Sequence, residues 1–164
     1  RQMYDLTKEI LGRHGYHRYE ISNYAKKGYE CRHNFGYWRR TDYVGFGIGA
    51  ASLVRETRFQ NEESLSKYLD DPLECRSAVQ ELNENDCMEE FMFLGLRMTA
   101  GVSMGEFEKR FDRSMEDVYR EVIRKNCEDG LLYVRECEDS DRRVALTKRG
   151  LDLSNYVMAQ FLMG

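Results

Sequence analysis

Residues 86–161 signal helix starts and stops at such short intervals that few folds can accommodate them. Asp86-x-x-Glu89 and Ser103-x-x-Glu106 each place a side-chain oxygen where it can accept from the free amides of a first helical turn, and Ser114 offers the same shortly after. After the first start, Cys87, Phe91, Leu94 and Met98 share one helical face, with Gly101 beyond the end. Phe107 and Phe111 point inward after the second, and Met115, Val118, Val122 and Ile123 after the third, which Gly130 stops. Leu131 to Cys137 and Arg143 to Leu146 predict a hairpin across the acidic turn Glu138-Asp-Ser-Asp141. Thr147 then caps a last helix carrying Leu153, Val157 and Phe161. Helices followed by a hairpin wing predict a mainly helical, winged-helix-like domain over residues 83–164.

Residues 1–82 follow a different pattern. Met3, Leu6 and Ile10 fall on one face of a helix ending near Gly12 and Gly15, and Tyr16 to Ser22 predicts a strand, so the region opens as an α/β unit. Asn23 to Gly36 is polar and aperiodic and predicts a loop. Tyr43 to Val54 predicts extended chain in which Val44, Phe46 and Ile48 pack on one face, leaving Gly45, Gly47 and Gly49 on the other. A face without side chains lets backbone approach a flat or phosphate-like ligand closely. The same spacing equally suits a tight strand bend packed on another backbone, and it lacks the Gly-x-Gly-x-x-Gly of a dinucleotide site. Asn61 to Asp86 predicts a connector with the chain's only proline, Pro72, and a helical turn over 64–69.

Charge separates the two parts. Residues 1–58 carry 11 Lys/Arg against 6 Asp/Glu, whereas 59–164 carry 14 against 23. The first part suits an anionic ligand such as a carboxylate; the second repels nucleic acid. The helix before the hairpin holds Arg120, Arg124 and Lys125, but Glu116, Asp117 and Glu121 are interleaved with them, so no nucleic-acid partner is expected. No apolar run reaches the ~18 residues of a membrane span. Cys31, Cys75, Cys87, Cys127 and Cys137 match no zinc or redox spacing and predict free thiols in a reducing cytoplasm.

The densest chemistry lies in Cys31-Arg-His-Asn-Phe-Gly-Tyr-Trp38. The imidazole of His33 suits axial ligation of haem iron, Tyr37 and Trp38 suit stacking on a macrocycle, and Arg32, Arg39 and Arg40 suit its propionates. Cys31 is a second candidate iron ligand. The competing reading makes His33 a structural side chain hydrogen-bonded in a loop.

Three stretches in order, Tyr19-Glu-Ile-Ser-Asn-Tyr-Ala25, the Cys31–Trp38 motif and Gly45-Phe-Gly-Ile-Gly-Ala-Ala-Ser52, resemble the HemN/HemW family of radical-SAM proteins, and Glu89–Arg97 and Leu146–Val157 resemble that family's C-terminal domain. The resemblance implies the closing βα part of a radical-SAM barrel over 1–82, followed by the family's C-terminal helical domain over 83–164. His33-Asn-Phe-Gly-Tyr-Trp38 is similar to the motif of the haem-chaperone branch. This implies haem bound at His33, Tyr37 and Trp38, with His33 on the metal, and a client protein that receives the haem. The alternative within the family is an oxygen-independent coproporphyrinogen III oxidase. Gly47, Gly49, Ala50 and Ala51 match the segment that contacts S-adenosylmethionine. The family's Cys-x-x-x-Cys-x-x-Cys ligands for a 4Fe-4S cluster are not in this sequence, so catalysis by this chain alone is not expected.

Overall fold

A helix, Gln2–Arg13 (α1), opens the chain in the computed structural model, which describes residues 2–137 and 141–163. Its apolar stripe is the expected one, yet Met3, Leu6 and Ile10 are all exposed. The strand expected to run on to Ser22 is short. Tyr16–Arg18 (β1) pairs antiparallel with Tyr24–Lys26 (β2), which lies where a loop was expected. Beyond β1 the backbone changes partner: Ile21 N–H donates to Arg97 O at 3.0 Å and Thr99 N–H to Tyr19 O at 3.1 Å. This seam joins the two parts of the chain.

The end of the expected loop is also ordered, as a helix, Arg32–Trp38 (α2). Ala51–Val54 (β3) and Thr57–Asn61 (β4) form a hairpin, followed by Leu65–Asp70 (α3), near the turn expected at 64–69, and Arg76–Glu81 (β5). The sheet order is β3-β4-β5, so part of the expected connector is an edge strand. Residues 44–50 are not extended as the alternation predicted. Only Tyr43 pairs, with Leu53, and Val44, Phe46 and Ile48 are exposed rather than packed. The chain folds back on itself here: a Cβ at Gly45 would collide with the Ala51 carbonyl, and Gly47 and Gly49 adopt φ of +99° and +65°. Of the two readings of the glycine run, the bend against backbone holds at Gly45.

The second part follows its capping signals closely. Glu84–Gly95 (α4) is capped three residues before the expected position, because Asn83 and Asp86 form a reciprocal capping box at 3.0 and 2.9 Å. Val102–Ser103 (β6) leads into Met104–Phe111 (α5), capped by Ser103 Oγ accepting from Glu106 N–H at 2.8 Å. Met115–Glu128 (α6) is capped by Ser114, and Leu132–Glu136 (β7) and Arg142–Leu146 (β8) form the hairpin. Residues 138–140 of the expected turn lie outside the described residues. The last helix is broken at Leu153 into Lys148–Asp152 (α7) and Ser154–Ala159 (α8), which leaves Leu153 exposed while Val157 and Phe161 are fully buried.

The order α4-β6-α5-α6-β7-β8, with sheet order β6-β8-β7, is the arrangement of a winged helix. Phe107, Phe111, Tyr119 and Phe161 fill its centre with ring centroids 4.8–6.0 Å apart. Met88, Met92, Leu96 and Met115 close around them. Among the positive charges of α6 and the wing, Arg124 pairs with Glu121 and Glu128, and Arg142 with Glu116. No helix among the described residues is long and apolar enough to cross a membrane.

Candidate functional site

Seven residues of α2 carry the densest chemistry, and helical geometry divides them between two faces. At ~100° per residue, positions four apart overlap and positions five apart lie ~140° around the axis. His33 and Tyr37 therefore meet, with ring centroids 4.6 Å apart and nearly perpendicular, and His33 is exposed. Tyr37 in turn packs edge-on against Tyr43 at 4.6 Å. A short ladder of rings thus runs from His33 to the start of the glycine segment. Burial raises the pKa of the Tyr43 phenol, so it stays protonated there.

Trp38 faces the other way. The Arg97 guanidinium lies over its ring at 4.3 Å, and its Nε1–H is buried without an acceptor among the described residues. Phe35 shares this side, against Tyr19 at 5.2 Å and beneath the guanidinium of Arg39 at 5.0 Å. The three side chains expected to grip one macrocycle are therefore divided: His33 with Tyr37 on one face, Trp38 with Phe35 on the other. Between α2, residues 98–103, α5 and Arg143, the Trp38 face borders a cleft of about 600 Å³ that His33 does not line. His17 lines this cleft as well and meets Glu30 at 2.9 Å.

Arg40 is a correction. Expected on propionates, it has a fully buried side chain, Nε donating to Glu90 at 2.8 Å and Nη2 to Glu56 at 2.6 Å. Glu90 also takes Arg58 at 2.7 Å, and Glu56 takes Arg110 at 2.9 Å and the Cys87 thiol at 3.3 Å. Burial pushes the Glu56 carboxyl up, but the hydrogen bonds from Arg110, Arg40 and Cys87 outweigh it and hold the group down at about 2. The Cys87 thiol is pushed up, by burial first and then by Glu56, so it is an inert hydrogen-bond donor.

The backbone yields to this cluster. Arg40 sits at φ +53° two residues past the end of α2, with its N–H on Tyr37 O and the Thr41 N–H on Gly36 O, the left-handed helix ending that glycine normally occupies. Arg55 and Glu56 in the β3–β4 turn also adopt positive φ, +48° and +61°. Such a conformation costs a non-glycine residue about 1–3 kcal/mol; buried ion pairs hold Arg40 in it, while Arg55 and Glu56 form the two-residue turn between paired Val54 and Thr57, where positive φ matches the twist of the strands. One signal of the cluster was legible. Glu90 stands three residues after Cys87 and four before Leu94, a carboxylate within an apolar stripe.

Gly47, Gly49, Ala50 and Ala51 lie in the bend and at the start of β3. Asn61 Nδ2 donates to Gly45 O at 3.0 Å and to Gly47 O at 2.9 Å, Gln60 Nε2 to Gly49 O at 3.1 Å, and Gly47 N–H donates to Tyr68 Oη at 3.0 Å. The bend is thus fixed in shape. Space is open at Gly47, and Ala51 is exposed. Among the described residues no three His, Cys, Asp or Glu side chains gather as metal ligands, and all five cysteines are free, so this chain's residues do not fit an iron–sulfur cluster.

Residues 82–153 match the family model of the HemN C-terminal domain. The chain is 37% identical to the heme chaperone HemW of Bacillus subtilis over 98% of its length and 42% of that protein, and 36% identical to that of Lactococcus lactis over 98% and 41%. It thus spans about two fifths of the curated relatives it matches. Its fold superposes on coproporphyrinogen III oxidase (HemN) from Escherichia coli, described as a radical SAM enzyme, with a TM-score of 0.70 at 17% identity, covering 98% of this chain and 40% of that one.

Proposed function

This chain belongs to the HemN/HemW family of radical-SAM proteins through its C-terminal domain and whole-length likeness to HemW, and from that premise we propose that it is the haem-handling C-terminal part of a radical-SAM haem chaperone. The family implies S-adenosylmethionine and a 4Fe-4S cluster in the whole protein. Among the described residues none are gathered to ligate that cluster. The bend at Gly47, Gly49, Ala50 and Ala51 supports a backbone contact with the nucleoside end of S-adenosylmethionine, because its shape is already fixed and it carries no bulky side chain. The resident client and the cellular setting, expected to be cytoplasmic, belong to the same proposal.

The observation that carries the reading is the exposed His33 within His33-Asn-Phe-Gly-Tyr-Trp38, on a chain similar to HemW throughout. Haem is the cargo. The His33 imidazole offers a nitrogen lone pair to its iron from the first turn of α2, and Tyr37 packs edge-on against the ring and limits its rotamers. Exposure suits a cargo site, since haem must be given up to a client as well as held. The alternative, a coproporphyrinogen III oxidase, is supported by the fold and by the match to the HemN C-terminal domain.

The test is a haem titration of the full-length protein followed at the Soret band, comparing wild type with His33→Ala and Cys31→Ala. His33→Ala is expected to shift the Soret maximum and weaken binding at least tenfold, with Cys31→Ala unchanged. An unaltered spectrum and affinity in His33→Ala would leave His33 structural and remove the iron ligand from the proposal.

A further inference from the structure

The bend after Tyr43 leaves Val44 and Phe46 exposed, and neither has a role in the sites above. We propose that they open a docking groove for a client protein, which enters it with an extended segment carrying an apolar side chain followed by a carboxylate. That the partner is a client receiving haem rests on the reading above. The groove has a volume of about 580 Å³ and is bounded by Val44 and Phe46 of the bend, Val54 and Phe59 of the β3–β4 hairpin, and Pro72 and Leu73 after α3. Leu73 is exposed as well, and an open, contiguous apolar surface with a polar rim marks an interaction site. The loop that presents it is fixed in advance. Gly45 N–H donates to Ser52 Oγ at 3.0 Å, and Asn61 Nδ2 donates to the carbonyls of Gly45 and Gly47. Tyr68, which lines the groove, accepts the Gly47 N–H. The backbone on both sides of Phe46 is thus tethered, and a partner loses little entropy in ordering it.

Charge selects the partner. No Asp or Glu lines the groove, whereas Arg55 and Arg76 do. The Arg76 guanidinium lies over the Phe59 ring at 4.5 Å, and neither arginine pairs with a carboxylate among the described residues. Arg40, Arg58 and Arg110, by contrast, are each committed to a glutamate. A guanidinium fork takes both oxygens of a carboxylate, so two uncommitted ones beside an apolar trough suit an acidic group next to an apolar side chain. A basic segment would set like charges together. Asp71 and Glu74, neighbours of Leu73 in the chain, stay outside the lining, with Asp71 Oδ1 accepting from Glu74 N–H at 3.1 Å. Exposed beside the groove, they oppose a broad anionic surface such as a lipid leaflet more than they oppose a narrow peptide.

The test uses the full-length protein and a fluorescein-labelled peptide with a Leu-Phe pair followed by two aspartates, read by fluorescence polarisation. Phe46→Ser and Arg76→Glu change exposed side chains outside the proposed haem and S-adenosylmethionine contacts, so both variants are expected to keep the wild-type Soret response to haem. Saturable peptide binding by wild type is expected, weakened about tenfold by either variant and by lysines in place of the two aspartates. No binding by wild type, or binding unaltered in both variants, overturns the proposal. Binding to vesicles of phosphatidylcholine and phosphatidylglycerol in place of the peptide also overturns it, making the groove a membrane contact. So does a lowered melting temperature in Phe46→Ser, which would show the rest of the protein already filling the groove. The haem reading stands or falls separately, on the Soret response to His33→Ala.

Discussion

Residues 84–161 close a core around Phe107, with Met88, Met92, Leu96, Val144, Val157 and Phe161 wholly out of water. Residues 2–81 bury little beyond Tyr19, Ala25, Leu53 and Phe59, and leave Met3, Phe46, Leu69 and Leu73 exposed. The second region is held by filled volume, the first by directional contacts to the second: Arg40 and Arg58 on Glu90, Arg110 on Glu56, and residues 19–21 paired along 97–99. Filled volume is insensitive to the identity of any one polar group, whereas a buried ion pair fails when either partner goes. The helix carrying His33 and Trp38 belongs to the region that depends on such pairs. Its position is therefore set by the C-terminal domain.

The sharpest way to break this contrast is to truncate the same residue type in both regions. Phe107→Ala removes a fully buried ring and is expected to cost about 3–5 kcal/mol, whereas Phe46→Ala, 86% exposed, stays within ~0.5 kcal/mol. Denaturant unfolding measures both. A large loss at Phe46 would show that the first region has a core of its own.

Next in size is Arg40→Ala, which leaves Glu90 buried with one cation fewer and is expected to cost about 3 kcal/mol. Hydrogen exchange should then rise in α2 and the β3–β4 hairpin while α5 and α6 keep their protection. A uniform rise across the molecule would mean that the two regions open as one unit.

The smallest effect is in acid. Glu56 is held at about 2, below its ordinary 4.5, so the stability it contributes is fully present above pH 4.5 and disappears as pH falls towards 2. Its side chain is 42% exposed, which limits the contribution to about 1 kcal/mol or less. Glu56→Gln should lower stability at neutral pH and flatten the profile between pH 4.5 and 2. Parallel profiles for wild type and variant would remove Glu56 from the clamp.

Legibility in the sequence follows the same division. Ser103, Ser114 and Thr147 cap the helices assigned to them, and the β7–β8 hairpin lies where its alternation put it, because caps and hairpins are decided by residues within a few positions of each other. Residues 23–54 were misjudged where distant partners decide. Val44, Phe46 and Ile48 alternate as a strand would, yet the bend follows from Asn61 and Gln60 taking the loop carbonyls. At the candidate site, the motif around His33 was visible as composition, while its division between two faces required the helix that a polar, aperiodic stretch did not announce.

What the sequence by itself determined is the winged-helix part, the helix at the start and the presence of an imidazole, two rings and a glycine run close together in the chain. Tertiary structure alone decided that Arg40 turns inward to Glu56 and Glu90, that Trp38 borders a cleft while His33 faces water, and that Tyr19 to Ile21 pairs with residues 97–99. The physical reason is separation along the chain. Arg40 and Glu90 stand 50 positions apart, and a contact at that range leaves no period or cap in the sequence around either partner. It can also hold Arg40 in left-handed backbone that its own side chain disfavours.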